Sequence, residues 1–300
     1  MADLPSKVKN ALDEARILVL GGQVLLGFQY RGFFEPLFDK LPPLQMQVKH
    51  LGLFLLLAVL GLVMLPAARH RIVEQGQDTK GLLRFTKWCL RLALLPLALA
   101  IGIDLFTAGA QVGGTRVGAA IAGGAVLLSV ALWYGTVVLR EPREKEEADV
   151  QETSLEQKIA HVLVETRVVL PGAQALLGFQ LAMMMTEAFE KLPQSSKVAH
   201  LVSLCLIAAT TILLIAPAAF HRLVEQGEDT ERFHRFASAM ILLAMGTLAP
   251  GFCLDLYVVT KKLTASTSTS LWTAGAALAC FYGAWFGLTL LLRASKRKAA

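Results

Sequence analysis

The chain has 300 residues, of which 55% are hydrophobic and only 17% charged, with a mean hydropathy of +0.54 and a formal net charge of +6. Soluble domains carry about 25% charged residues, so this balance points away from a soluble globular protein and toward a polytopic membrane protein. The positive charge reads as loop charge that sets orientation, and with neither an aromatic RNA-binding signature nor a basic helix outside the apolar runs it gives no ground for a nucleic-acid partner.

Residues 1–13 form a short polar tail with no apolar core and no small-residue cleavage site, so a cleaved signal peptide is not expected. Apolar spans are predicted at about 15–38, 48–69, 84–106 and 115–139, and again at about 166–189, 199–220, 235–259 and 271–292. At ~1.5 Å per residue each is long enough to cross a hydrocarbon core of ~30 Å. Between the two sets, residues 140–158 hold seven acidic and four basic residues and read as a charged, solvated linker. The division is therefore 1–139, a first four-helix repeat; 140–158, a cytoplasmic linker; and 159–300, a second four-helix repeat.

The two sets are copies of one another. Residues 70–79 read HRIVEQGQDT and residues 221–230 read HRLVEQGEDT, with eight of ten positions identical at a spacing of 151 residues. The same spacing lays Leu25–Gln29 on Leu176–Gln180, Pro66-Ala67-Ala68 on Pro217-Ala218-Ala219, and Asp104 on Asp255, without a gap. With the N-terminus cytoplasmic, nineteen Lys and Arg fall on the inner side and seven on the outer, which places both termini in the cytoplasm. Four spans per copy is an even number, so both copies insert the same way up. The expected fold is all-α: eight transmembrane helices in two parallel four-helix repeats, related by a pseudo-twofold axis along the membrane normal.

The repeated connector has a structural reading: a cationic helix end, a glycine stop at Gly76 or Gly227, and a cap for the next helix from Asp78 or Thr79 and their repeats. It also has a functional one. His70 and Glu74, four apart on one helical face, and their repeats His221 and Glu225, would form an inner ion or proton site, since histidine titrates near neutrality. In the first span Arg16 and Gln23 are seven apart and share a face, and Arg167 and Gln174 repeat them. A glutamine at that depth implies interhelical hydrogen bonding or a polar pathway. Gln29 and Gln180 point to another face. Arg31 and Glu35 are placed for an i,i+4 ion pair that copy two lacks. Asp104 and Asp255, near the outer end of the third span, are interfacial residues or an outer cation site.

Glu14 and Arg16 lie at the depth of His70 and Arg71, and Glu165 and Arg167 at that of His221 and Arg222. Each copy is therefore expected to close its inner end with its own Glu against its own His-Arg pair. In the last span Gly275, Ala279, Gly283 and Gly287 recur every four residues, a small-residue face for packing within the chain or in a homodimer. Trp133, Tyr134, Trp272, Tyr282 and Trp285 suit an aromatic belt. Cys89, Cys205, Cys253 and Cys280 all sit in apolar runs without a CxxC, so buried apolar roles are expected and disulfide or metal roles are not. No nucleotide loop, serine nucleophile motif or zinc helix is present, so neither an enzyme nor a cofactor is expected.

The pattern E-x-R-x-x-x-P-G-x-Q-x-L-x-G-F, followed by A-P-A-A-x-H-R, resembles an uncharacterised bacterial family of four-helix membrane proteins. Copy two carries it from Glu165 through Gly172, Gln174 and Gly178 to Pro217, His221 and Arg222, while copy one has Leu20 where copy two has Pro171. The resemblance covers nearly the whole chain as two fused units and implies a bacterial inner membrane and a built-in dimer. Some members carry an automatic label of sodium/proton antiporter. The functional expectation is small-cation or proton transport between the copies, past Gln23, Gln174, Asp104 and Asp255, with His70, Glu74, His221 and Glu225 at the inner mouth. The alternative is a non-transporting scaffold, accessory or lipid-binding module.

Overall fold

A computed structural model describes residues 4–138, 150–151, 153–225 and 228–299, and these are almost wholly helical. We number the long helices α1 (Leu4–Gly32), α2 (Pro43–Ile72), α3 (80–113), α4 (115–138), α5 (Leu155–Met183), α6 (Gln194–Leu223), α7 (Glu231–Thr264) and α8 (267–299). Residues 283–288 of α8 are a π-helical stretch within an otherwise continuous rod.

The punctuation follows from local chemistry. Pro42 and Pro193 are repeat-related and immediately precede α2 and α6, where the amide proline lacks would have no helical partner. Ser154 opens α5 with a reciprocal capping box to Gln157. Thr79 Oγ1 accepts from Leu82 N at 3.0 Å, and its repeat Thr230 accepts from Phe233 N at 3.0 Å. Of the two residues expected to cap these helices, Thr is the one that does. Gly76 adopts φ +84°, as a glycine stop requires; Gly227 lies outside the described residues.

One corner is duplicated in conformation but not in sequence. Gly114 (φ 81°, ψ 171°) separates α3 from α4, and Ala265, exactly one repeat spacing later, turns α7 into α8 with φ 54°. Beyond Gly114 the chain doubles back: Gly118 packs against Phe106 and Ala110, and the Tyr134 hydroxyl donates to Arg91 O. Asp78–Thr79 also pairs antiparallel with Val150–Gln151, tying the connector of copy one to the start of copy two.

Among the described residues, six helical segments are long and apolar enough to cross a membrane: Pro43–Ile72, Lys80–Tyr134, Leu155–Met183, Gln194–Leu223, Glu231–Thr264 and Thr267–Lys296. The α3–α4 hairpin counts once in that set. Helix α1 falls short because Lys7, Lys9, Asp13, Glu14 and Arg16 crowd its first half and Gln23, Gln29 and Arg31 dilute its second. Many large apolar side chains face outward, among them Leu127, Leu132, Ile212, Trp272 and Leu291. In a water-soluble protein such surface would associate; here it suits a bilayer, and the chain is a multi-pass membrane protein.

The first expected span runs past its helix. α1 ends at Gly32, and Phe33, Phe34 and Phe38 continue as buried, non-α chain into a 3₁₀ turn at Phe38–Lys40. Trp285 is fully buried, not part of a belt, and its Nε1 donates to Gly61 O at 2.9 Å, so α8 of copy two lies on α2 of copy one. All four cysteines are free; Cys89 and Cys253 are buried, whereas Cys205 and Cys280 are exposed on outer faces. One contiguous apolar core, with Leu60, Val63, Leu176, Ile207, Leu248 and Phe252 among its members, runs through both copies.

Candidate functional site

Below, the proximal end of the bundle is the one at which α1 begins, and the distal end is the other. α1 and α5, the first helices of the two copies, run parallel in contact. Arg16 meets His161 and Glu165, Gln23 lies on Gly172, and Gly27 lies under Phe179. Three polar residues of α1 project into this seam: Arg16, Gln23 and Tyr30, all buried. They are seven apart, two helical turns and ~10 Å each, and so share one face. Gln23 is completely enclosed, and neither atom of its amide has a hydrogen-bond partner.

At the proximal end the expected closure exists but joins different partners. Arg71 Nη2 of copy one donates to Glu165 Oε2 of copy two, with both side chains at most 4% exposed, and Arg71 Nη1 donates to Ser238 Oγ at 3.2 Å. Arg16 lies 3.9 Å from the same carboxylate oxygen and donates to His161 O at 3.1 Å. The contact expected within each copy is thus corrected to one between copies. Glu14, Arg167 and Arg222 are exposed. The physical reason is a difference in helix rotation: α1 buries the Arg of its E-x-R motif, and α5 buries the Glu.

His70 and Glu74 do not form one site. Glu74 is held by Arg69 at 3.3 Å and by Lys296 of α8 at 2.6 Å. His70 instead faces Asp78, with 3.9 Å between Nε2 and Oδ1, and His161 approaches the other carboxylate oxygen to 3.6 Å. All three are buried. Those separations exceed hydrogen-bonding distance, so Asp78 is an enclosed carboxyl with both oxygens unpaired, between two imidazoles. Of the three, His161 also borders an open hollow of about 240 Å³, lined with it by Ser6, Lys9, Arg16 and Gln157. In copy two the corresponding pair, His221 and Asp229 at 3.6 Å, is partly exposed, and Glu225 is half-buried. Further along the seam an apolar cavity of about 30 Å³, bounded by Arg16, Val19, Met64, Glu165 and Leu248, has the volume of one or two waters.

The distal end holds the clearest product of the duplication. In copy one Gln29 Nε2 donates to Asp104 Oδ2 at 3.0 Å, and Lys49 Nζ lies 3.5 Å from Asp104 Oδ1. In copy two Gln180 Nε2 donates to Asp255 Oδ2 at 2.6 Å, and His200 Nδ1 lies 3.8 Å from Asp255 Oδ1. Each of these residues in copy two stands 151 positions after its counterpart. The Tyr30 hydroxyl crosses from copy one to His200 Nδ1 at 3.1 Å, and Ser203 accepts from Gln180 and donates to Gly251 O.

Asp104 and Asp255 are therefore gathered with Gln29 and Gln180, not with Gln23. Gln174 is exposed, on the side of α5 away from the seam, so it lines no pathway between the copies. Lys49, which was not among the expected site residues, is a partner of Asp104. The repeat alignment held the signal for it, since it lays Lys49 on His200 just as it lays Asp104 on Asp255. Tyr30 could have been found by extending the Arg16–Gln23 spacing by seven. His161 had no such signal, because its repeat position is Asn10.

Arg31 and Glu35 form the expected pair at 3.0 Å. The small-residue face of α8 is open: a Cβ added at Gly275 or Gly283 would meet nothing within 4 Å, and α8 packs inward through Phe281, Trp285 and Thr289 instead. Among the described residues no group of three His, Cys, Asp or Glu is placed to hold a metal ion. What the arrangement offers is two enclosed imidazole–carboxyl clusters, one at each end of a seam with a single buried amide between them.

No curated protein and no solved structure matches the chain at a significant level. A family model does match, twice in succession, over residues 5–137 and 148–289, which is the duplication read from the connector. With nearly the whole chain covered, the protein belongs to the family of unknown function DUF6328, as two tandem copies of its unit.

Proposed function

We propose that the protein moves protons, or a small monovalent cation, along the seam between its two copies. In this reading all eight long helices cross the bilayer of a bacterial inner membrane. The copies insert the same way up, about a pseudo-twofold axis along the membrane normal, and both termini are cytoplasmic. The proximal end is then the inner one. The parallel course of α1 and α5 supports equal insertion of the copies, and the polar row on α1 supports a path between them.

The observation that carries the proposal is that row: Arg16 beside the His70–Asp78–His161 cluster, Gln23 enclosed and unpaired, and Tyr30 on His200. Burying an unpaired amide costs about 1–3 kcal/mol, a cost that packing alone gives no reason to retain and that an entering water or proton carrier would relieve. The apolar walls between the stations make this conformation a closed one. A homodimer through the last helix belongs to the same proposal, supported by the open face of Gly275, Ala279 and Gly283.

The test is purified protein in vesicles loaded with a pH-sensitive dye, given a pH gradient with and without a potassium diffusion potential. Proton flux is expected in the unaltered protein, with a fall of at least about tenfold, or ~1.4 kcal/mol in barrier, in Gln23→Leu. A second reading, a non-transporting scaffold or accessory module, draws on the direct pairing of Arg71 with Glu165 and of Gln180 with Asp255. Vesicles that pass neither protons nor cations under any gradient would favour it.

A further inference from the structure

The duplication sets a basic group beside each distal carboxyl, but of a different kind in each copy. In copy one it is the ammonium of Lys49. In copy two it is the imidazole of His200, which exists in a neutral or a charged form.

The hydrogen bonds around His200 fix its tautomer. Nε2 faces the backbone oxygen of Gln180 at 3.2 Å, and a carbonyl only accepts, so Nε2 carries a proton. In the neutral ring Nδ1 is then an acceptor, and the Tyr30 hydroxyl donates to it at 3.1 Å. With Tyr30 so engaged and Gln180 Nε2 serving Oδ2, Asp255 Oδ1 is left buried without a hydrogen-bond partner, 3.8 Å from an imidazole nitrogen whose lone pair is already taken. Leaving a buried acceptor in that state is costly.

One proton removes the conflict. Once protonated, Nδ1 donates either to Asp255 Oδ1 or to Tyr30 Oη, and Tyr30, no longer needed as a donor to the ring, turns its own hydrogen toward Asp255. Tyr30 and Asp255 line the same small cavity, of about 10 Å³. The resulting positive charge stands 3.8 Å from the carboxylate, as that of Lys49 stands 3.5 Å from Asp104. Copy one is thus permanently supplied with the charge that copy two must acquire.

We propose that His200 and Asp255 form a proton-binding site that takes one proton on His200 Nδ1, and that Lys49 and Asp104 are its charge-locked counterpart, which takes none. The proton comes from hydronium, which leaves as water, and no other bond is made or broken. The groups that face His200 are Tyr30 from α1, Gln180 from α5, Phe189 from the turn at Glu187–Glu190 and Asp255 from α7, so Tyr30 and Asp255 are its titratable neighbours. Its place as the distal station of a pathway rests on the transport reading; its binding of a proton does not.

The test is solid-state NMR of the full chain in lipid bilayers with ¹⁵N-labelled histidine, read from about pH 8 to about pH 4, a range that brackets imidazole titration. The His200 signal is assigned by its loss in His200→Gln or, should that variant not insert, by its displacement in Tyr30→Phe. The expected result is a change of His200 from the singly to the doubly protonated ring. Asp255→Asn should abolish or displace that titration, and Asp104→Asn should leave it unmoved. A His200 that keeps one proton throughout, that answers to Asp104→Asn and not to Asp255→Asn, or that responds to added sodium at fixed pH in place of protons, overturns the proposal. Titration of His200 in a protein that moves no protons upholds this site while removing the transport reading. Proton flux through a protein whose His200 never titrates does the reverse.

Discussion

Arg71 and Glu165 show how far single residues were legible. Both stood out in the sequence as repeated charges at membrane depth, and both are buried and paired. Their partnership was not legible, because a repeat supplies two equivalent candidates for every contact and says nothing about which copy's residue is met. The pair is buried, and removing Arg71 leaves the Glu165 carboxylate with only the more distant Arg16, at 3.9 Å, to balance it. Arg71→Ala should lower stability by about 3–5 kcal/mol, measured as a fall in the thermal unfolding midpoint in detergent. The same change at Arg222, which is exposed, should cost under about 1 kcal/mol. Equal effects at the two arginines would mean that the pair between the copies does not hold the proximal end together.

At the scale of the elements, the order of the helices was readable from apolar run length, glycine stops and caps, but α1 and α5 begin eleven residues before their expected spans and end six residues before them. The duplicated corner at Gly114 and Ala265 shows why conformation is less so, since alanine there holds a left-handed φ that its sequence does not advertise. What the sequence hid most was rotation. Repeat-related α1 and α5 bury different sides, so Gln23 and Arg16 face in while Gln174 and Arg167 face out. Identical motifs carry no information about which face of each helix meets the other. The seam itself is set by Gly172: a Cβ there would come within 1.8 Å of Gln23 Oε1 and 2.7 Å of its Cδ. Gly172→Ala should therefore cost about 1–3 kcal/mol by overpacking. Because that clash is with one enclosed side chain, Gln23→Ala combined with Gly172→Ala should be less destabilised than the sum of the two single changes, by at least about 0.5 kcal/mol. Additive effects would show that α1 and α5 are not packed through this contact.

For the molecule as a whole, the membrane character, the all-helical fold and the duplication were legible in composition and in the 151-residue spacing. The location of the polar groups was legible only in part, because a glutamine or aspartate in an apolar run marks a depth and not a neighbour. The structure gathers these groups into two enclosed clusters, His70–Asp78–His161 and Tyr30–His200–Asp255, at opposite ends of one seam. Gln23 lies midway, buried and unpaired. If the seam is a pathway, water must reach Gln23 in some state of the working protein. If it is only packing, it never does. The direct measurement is chemical access at that position. A chain with Cys89, Cys205, Cys253 and Cys280 replaced and carrying Gln23→Cys is placed in vesicles under a pH gradient and exposed to a membrane-impermeant thiol reagent, which needs a hydrated thiolate to react. The cysteine at position 23 is expected to react, and faster with the gradient than without it, while Phe28→Cys, on the outward face, stays unmodified. A folded, inserted protein whose position 23 remains unmodified under every gradient would contradict it.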